Sequence, residues 1–177
     1  MPDYKKIKLI VLDVDGTLTD GGIYYDSQGN EIKRFDVKDG LGIKVGIAAG
    51  LEFAVITGRE SPMVERRVKE LGIQHLIQGI QKKEPTLRKL MKELNLSKEQ
   101  VAYIGDDLND RSAMLAVGIC ACPADASQEI QDISDYVAVY DGGHGAVRDF
   151  VQTVLDQQGK WTVVANRIYQ SGEDGNG

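Results

Sequence analysis

Short apolar runs alternate with stretches of helical spacing along most of this chain, and that alternation restricts the folds open to it. Residues 9–12, 53–56, 101–104 and 118–122 are apolar runs of strand length with no polar alternation. Between them, 40–49, 62–71, 84–94 and 109–117 read as helices. In the third of these, Leu87, Leu90, Met91 and Leu94 recur at i, i+3, i+4 and i+7 and give one apolar stripe. Ser97 followed three residues later by Gln100 predicts a short helical turn. Buried strands separated by helices require a parallel sheet covered on both faces, so the expected class is doubly wound α/β. The 177 residues suit one domain over 1–170, with a polar, glycine-rich tail at 171–177 expected to be flexible.

One segment interrupts the alternation. Residues 22–36 hold two strand-like stretches around Ser27-Gln28-Gly29-Asn30, a hairpin pattern. A lone hairpin exposing Ile23, Tyr25, Ile32 and Phe35 is marginal in water. It is therefore expected to pack against another subunit.

Composition excludes several classes. A net charge of −6 without basic clustering argues against a nucleic-acid partner. No run is long and apolar enough to span a bilayer. Met1-Pro2-Asp3-Tyr4-Lys5-Lys6 has none of the apolar core of a signal peptide, so a cytoplasmic location is expected. Cys120 and Cys122 lack C-x-x-C spacing and a second pair, and read as buried, reduced side chains.

The chemistry concentrates at strand ends. Asp13 and Asp15 follow the first strand and, at i and i+2, face one spot, an arrangement that needs a cation or a shared proton. In a parallel sheet, functional residues gather at the carboxyl ends of strands. Thr57-Gly58-Arg59 follows the second strand, and Gly105-Asp106-Asp107-Leu108-Asn109-Asp110 follows the strand at 101–104. Lys82 and Lys83 precede the third helix. Carboxylates suit Mg²⁺, while hydroxyl, ammonium and backbone N–H groups suit phosphate oxygens. His75 reads as structural, and His144 lies among glycines in a loop that could approach a ligand.

Asp13-Val14-Asp15-Gly16-Thr17 resembles the first motif of the haloacid dehalogenase superfamily of phosphatases. Thr57, Lys83 and Gly105-Asp106-Asp107-x-x-Asp110 match its second, third and fourth motifs in order. A calcium loop is excluded because the later ligands, including a closing Glu, are missing. The resemblance implies that Asp13 is the nucleophile and Asp15 the general acid and base. It implies Mg²⁺ held by Asp13, the backbone carbonyl of Asp15 and Asp106. Thr57 would bind a phosphoryl oxygen, Lys83 rather than Lys82 would balance charge, and Asp107 and Asp110 would orient metal waters or Lys83.

Many relatives with larger substrates carry an inserted cap, and neither 15–39 nor 57–83 has room for one. The capless group with a hairpin after the first motif is the 3-deoxy-D-manno-octulosonate 8-phosphate (KDO 8-phosphate) phosphatase family. This chain is similar to it at residues 20–22, 35–40, 56–59 and 142–148. That resemblance implies a role in lipopolysaccharide precursor synthesis and a homotetramer with hairpins at its centre. A C-terminal segment of one subunit would reach the next site. The substrate would be a sugar-acid phosphate, with Arg59 and Arg67 as carboxylate donors and Gly58, Lys38 and Asp39 among its contacts. Arg59 favours the octulosonate over KDN 9-phosphate or N-acylneuraminate 9-phosphate, whose enzymes more often have Glu there. Lys38 and His144 stand where the family often has Arg. A less selective sugar phosphatase is the neighbouring reading on the same scaffold. A phospho-accepting signalling domain would instead carry a lone acceptor Asp at the strand end.

Overall fold

The computed structural model describes residues 1–169, so the tail expected at 171–177 lies outside the described residues. Six parallel strands form the main sheet: β1 (Leu9–Leu12), β4 (Glu52–Ile56), β5 (His75–Ile77), β6 (Val101–Ile104), β7 (Ile119–Cys122) and β8 (Tyr136–Val137). Their spatial order is β5-β4-β1-β6-β7-β8. β1 is central, with Leu9 opposite both Glu52 and Val101, and Leu12 opposite both Val55 and Ile104. The chain winds outward from β1 through β4 and β5, then returns and winds the other way through β6, β7 and β8. The switch point therefore lies between the carboxyl ends of β1 and β6, where such sheets open a crevice for ligands.

Alternate residues of β1 serve two cores. Ile10 and Leu12 join Phe53 and Val55 under α1 (Val37–Ala48), α2 (Pro62–Leu71), α6 (Ala146–Gln157) and α7 (Trp161–Tyr169). Leu9 and Val11 join Ala54, Ile56 and Tyr103 under α3 (Lys83–Glu93), α4 (Arg111–Met114) and α5 (Gln128–Gln131). Helices thus cover both faces, as the apolar runs require. The stripe on α3 buries Leu87, Leu90 and Met91. The turn at Lys98–Gln100 is a 3-10 helix closed by the Ser97/Gln100 capping box. α1 starts at Val37, earlier than its apolar pattern, because the Asp36 carboxylate accepts from Lys38 N at 2.7 Å and caps it. α4 is shorter than 109–117, with turns on both sides.

β2 (Tyr24–Tyr25) and β3 (Glu31–Ile32) make the hairpin, extended by a bridge between Thr19 and Phe35. Asp26 fixes its turn by accepting from Gln28 N and Asn30 N, each at 2.8 Å. Ile23, Tyr24, Tyr25 and Ile32 are exposed. Phe35 is not: it packs on the chain's own core with the Arg67 guanidinium 5.9 Å over its ring, which corrects the expectation that it faces outward. Within the described residues, 15–39 hold only this hairpin, its flanking turns and the first turn of α1, and 57–83 hold only α2 and β5 before α3 begins, so no cap is present. Cys120 and Cys122 are free and buried on β7, and burial pushes the Cys120 thiol up to about 11.

Candidate active site

Asp13 extends β1 by one residue, its N–H bonded to Ile104 O at 3.0 Å, and is buried at the switch point. The chain then turns sharply: the N–H groups of Thr17, Leu18 and Thr19 all reach Val14 O. Thr19 Oγ1 accepts from Gly16 N and from Gly21 N, each at 3.2 Å, which closes the loop on itself. Gly16 has φ +92°, and a Cβ there would overlap the Asp106 carboxylate. The glycine after Asp15 is thus what allows Asp106, on the neighbouring β6 loop, to reach Asp13.

Lys83 opens α3 and is almost fully buried. Its Nζ donates to Asp13 Oδ1 at 2.5 Å and to Asp110 Oδ1 at 2.7 Å. Asp110 Oδ1 also accepts from Tyr103 OH at 2.8 Å, and its Oδ2 accepts from Asp106 N at 3.1 Å. Both Asp110 oxygens are therefore committed, so it holds Lys83 and the β6 loop in place. Oxygens of Asp13, Asp106 and Asp110 lie within 4.8 Å of one another. Burial, and then the Asp110 charge, push Asp13 up to about 6 despite Lys83. Burial, and then the charges of Asp13 and Asp110, push Asp106 up to about 8. Burial works against the Lys83 ammonium, but Asp13 and Asp110 outweigh it and its pKa is raised. One lysine faces three carboxylates, leaving an excess of negative charge that a hard divalent cation on Asp13 and Asp106 would remove.

Thr57 is buried at the end of β4, its N–H on Ile77 O at 3.0 Å and its C=O accepting from Ile80 N at 3.1 Å. Gly58 and Arg59 continue that loop, and Arg59 Nη2 donates to Glu31 Oε1 on the hairpin at 2.7 Å. Asp15 Oδ1 accepts from Lys33 Nζ at 2.5 Å. Asp15, Asp106 and Asp107 line a cavity of about 470 Å³ with Gly21, Leu108 and Asn109. Asp107 stands at its rim, accepting from Leu108 N at 2.8 Å. A cavity of about 790 Å³ at the opposite, amino-terminal ends of the central strands, between Lys8, Glu52 and Gln100, holds none of these groups.

Three residues expected at the substrate have their partners elsewhere. Asp39 is 1% exposed and accepts from Arg148 N at 2.9 Å at the start of α6, which makes it a helix-capping carboxylate rather than a surface contact. Arg67 lies over Phe35 and donates to Asp36 O at 3.3 Å. Lys38 is exposed beside Tyr140 and His144, lining a separate cavity. His144 holds its own loop through Gly142 O at 2.9 Å, and His75 pairs with Glu52 at 3.1 Å. Sequence reasoning missed Lys33, Glu31 and Tyr103. The signals were a lysine and a glutamate two apart on the hairpin and a tyrosine in an otherwise aliphatic strand.

Residues 75–150 match the family model of haloacid dehalogenase-like hydrolases. The chain is 43% identical over 159 residues to the 3-deoxy-D-manno-octulosonate 8-phosphate phosphatase KdsC of Haemophilus influenzae, covering 90% of this chain and 88% of that protein. Among solved structures, a probable YrbI-family phosphatase from Pseudomonas syringae superposes with a TM-score of 0.91 at 45% identity, covering 96% of each chain. The 3-deoxy-D-manno-octulosonate 8-phosphate phosphatase of Moraxella catarrhalis, solved with magnesium ion, phosphate ion and a KDO molecule, also superposes at 0.91. It is 42% identical, over 94% of this chain and 95% of that one. With its motifs at the strand ends of a capless doubly wound sheet, the chain belongs to the 3-deoxy-D-manno-octulosonate 8-phosphate phosphatase family of haloacid dehalogenase-like hydrolases.

Proposed function

We propose that the chain is a Mg²⁺-dependent phosphatase that hydrolyses KDO 8-phosphate to KDO and phosphate in lipopolysaccharide precursor synthesis. The observation that carries the reading is Asp13, held by Lys83 at 2.5 Å at the sheet's switch point with Asp15 and Asp106 beside it. Asp13 and Asp106, with the backbone carbonyl of Asp15, would hold the Mg²⁺, which supplies charge neutralisation between nucleophile and phosphate. An Asp13 carboxylate oxygen forms a bond to phosphorus as the phosphorus–sugar oxygen bond breaks, giving an aspartyl phosphate. Asp15 gives its proton to the leaving oxygen, then takes one from the water that attacks phosphorus and frees Asp13. Thr57 donates to a phosphoryl oxygen, and Lys83 keeps Asp13 ionised and oriented. Gly58 and Arg59 line the substrate side, with Arg59 offering a fork for the sugar carboxylate.

A capless site needs another shield, and the exposed hairpin supports a homotetramer in which neighbouring subunits supply it. Arg67, Lys38 and Asp39 would then act at or behind that boundary. No described helix is long and apolar enough to cross a membrane, and two buried free thiols support a reducing, cytoplasmic setting. The test is a panel of sugar phosphates compared by kcat/KM with Mg²⁺, each repeated with chelator. KDO 8-phosphate is expected to rank first, with activity lost on chelation. A preference for KDN 9-phosphate or N-acylneuraminate 9-phosphate would move the substrate to the nine-carbon acids.

A further inference from the structure

The hairpin brings charge as well as apolar surface to the site. Glu31 lies on β3 and Lys33 just beyond it, two residues apart, so an extended backbone sends both side chains the same way. The Lys33 side chain is 3% exposed, with Nζ 2.5 Å from Asp15 Oδ1 and 3.4 Å from Glu31 Oε1. Glu31 Oε1 in turn accepts from Arg59 at 2.7 Å. Asp15, Lys33, Glu31 and Arg59 therefore form a ladder of alternating charge from the reacting centre to the rim. Burying an ammonium this far is costly unless it is matched, and here a carboxylate flanks it on each side. The neighbouring side chain of Ile32 is exposed, so packing alone does not draw this segment inward.

We propose that Lys33 is the positioning residue of Asp15. It holds Oδ1 so that the other oxygen of that carboxylate serves the leaving oxygen of the sugar, while Glu31 and Arg59 hold Lys33. The proposal deepens the phosphatase reading above and rests on it. It predicts a dependence on the leaving group. An alkoxide needs the Asp15 proton as the phosphorus–oxygen bond breaks, whereas nitrophenolate leaves without one. A lysine that bound the phosphoryl group would matter equally to both substrates.

The experiment measures single-turnover release of the leaving group, with enzyme in excess and Mg²⁺ present, so that later hydrolysis of the aspartyl phosphate does not enter. KDO 8-phosphate and p-nitrophenyl phosphate are compared in wild type, Lys33→Met, Lys33→Arg and Glu31→Gln. For Lys33→Met, sugar release is expected to slow by about 30-fold or more, a large part of the roughly 100-fold minimum that a general acid contributes, while nitrophenol release changes by less than about threefold. Lys33→Arg should recover much of the sugar rate, and Glu31→Gln should show the same pattern more weakly. Retained nitrophenol release also reports that each variant is folded. Equal loss on both substrates, or no loss on either, overturns the proposal. A wild-type enzyme inactive on KDO 8-phosphate but active on other sugar phosphates would overturn the substrate reading instead. Lys33 would then be tested in the same way on the best of those.

Discussion

Lys83 carries a positive charge into a pocket where Asp13 and Asp110 bind it directly and Tyr103 tightens Asp110 from behind. Its two partners are not equivalent. Asp110 has both oxygens in use, whereas Asp13 is pushed toward neutrality first by burial and then by its charged neighbour Asp110. Asp13→Asn should therefore abolish phosphate release while leaving the thermal midpoint close to wild type. Lys83→Met should instead destabilise the protein by about 3–5 kcal/mol, because the two buried carboxylates it pairs with, Asp13 and Asp110, would be left without their cation. Urea unfolding of the two variants checks the contrast, and a Lys83→Met protein as stable as wild type would remove the electrostatic account. These residues were legible because strand ends in a parallel sheet are where chemistry gathers, and each motif residue is close in sequence to a recognisable strand or, for Lys83, to the start of a recognisable helix. Lys33 was not. Its partner Asp15 is 18 positions away, and the contact exists only because the hairpin folds back.

At the level of elements, the loop before α6 buttresses the catalytic loop. Gly143 N donates to Thr17 O at 3.0 Å, Arg34 holds Gly143 O at 2.7 Å, and a Cβ on Gly142 would overlap the Gly16 carbonyl. Asp39 anchors this loop through α6 from the first turn of α1. The central strands and α2 could be read from apolar runs and the Pro62/Gly72 pair that bounds the helix. α6 could not, because its N-cap position is Gly145, which has no capping side chain, and its capping carboxylate comes from 109 residues away. β8 is two residues long and too short for any period to show. The Asp39 cap has a pH signature. Burial, only partly offset by the Arg148 N–H, pushes Asp39 from 3.8 up to about 6, and its Oδ2 has no partner. The folded state thus binds a proton more tightly than the unfolded chain does. This contribution to stability is complete below about pH 4 and lost as pH rises through about 6, by about 2–3 kcal/mol at most. The gap in unfolding free energy between wild type and Asp39→Asn should therefore move against wild type from about pH 4 to about pH 8. A gap that stays constant with pH would rule out this role.

For the whole molecule, the question is what covers the hairpin. Two strands of two residues each cannot hold themselves together in water, yet Ile23, Tyr25 and Ile32 are 59%, 63% and 52% exposed. Its base is fixed by Phe35 under Arg67 and by the charge ladder to Asp15, so the arms that carry the apolar side chains project from a rigid foot. Exposed apolar side chains grouped on such a projection mark an association surface, and the absent cap gives the association a use. Light scattering at micromolar concentration should find wild type larger than a monomer, and the tetramer is the expected state. Replacing Tyr25 and Ile32 together with Ser should shift the population toward monomer. The charged foot of the hairpin stays intact in that variant, so nitrophenyl phosphate turnover should persist. The specificity for sugar-acid phosphates should fall, because side chains from the neighbouring subunit no longer frame the substrate. A monomeric wild type, or a dispersed variant with undiminished preference for the sugar acid, would mean that one chain selects its substrate alone.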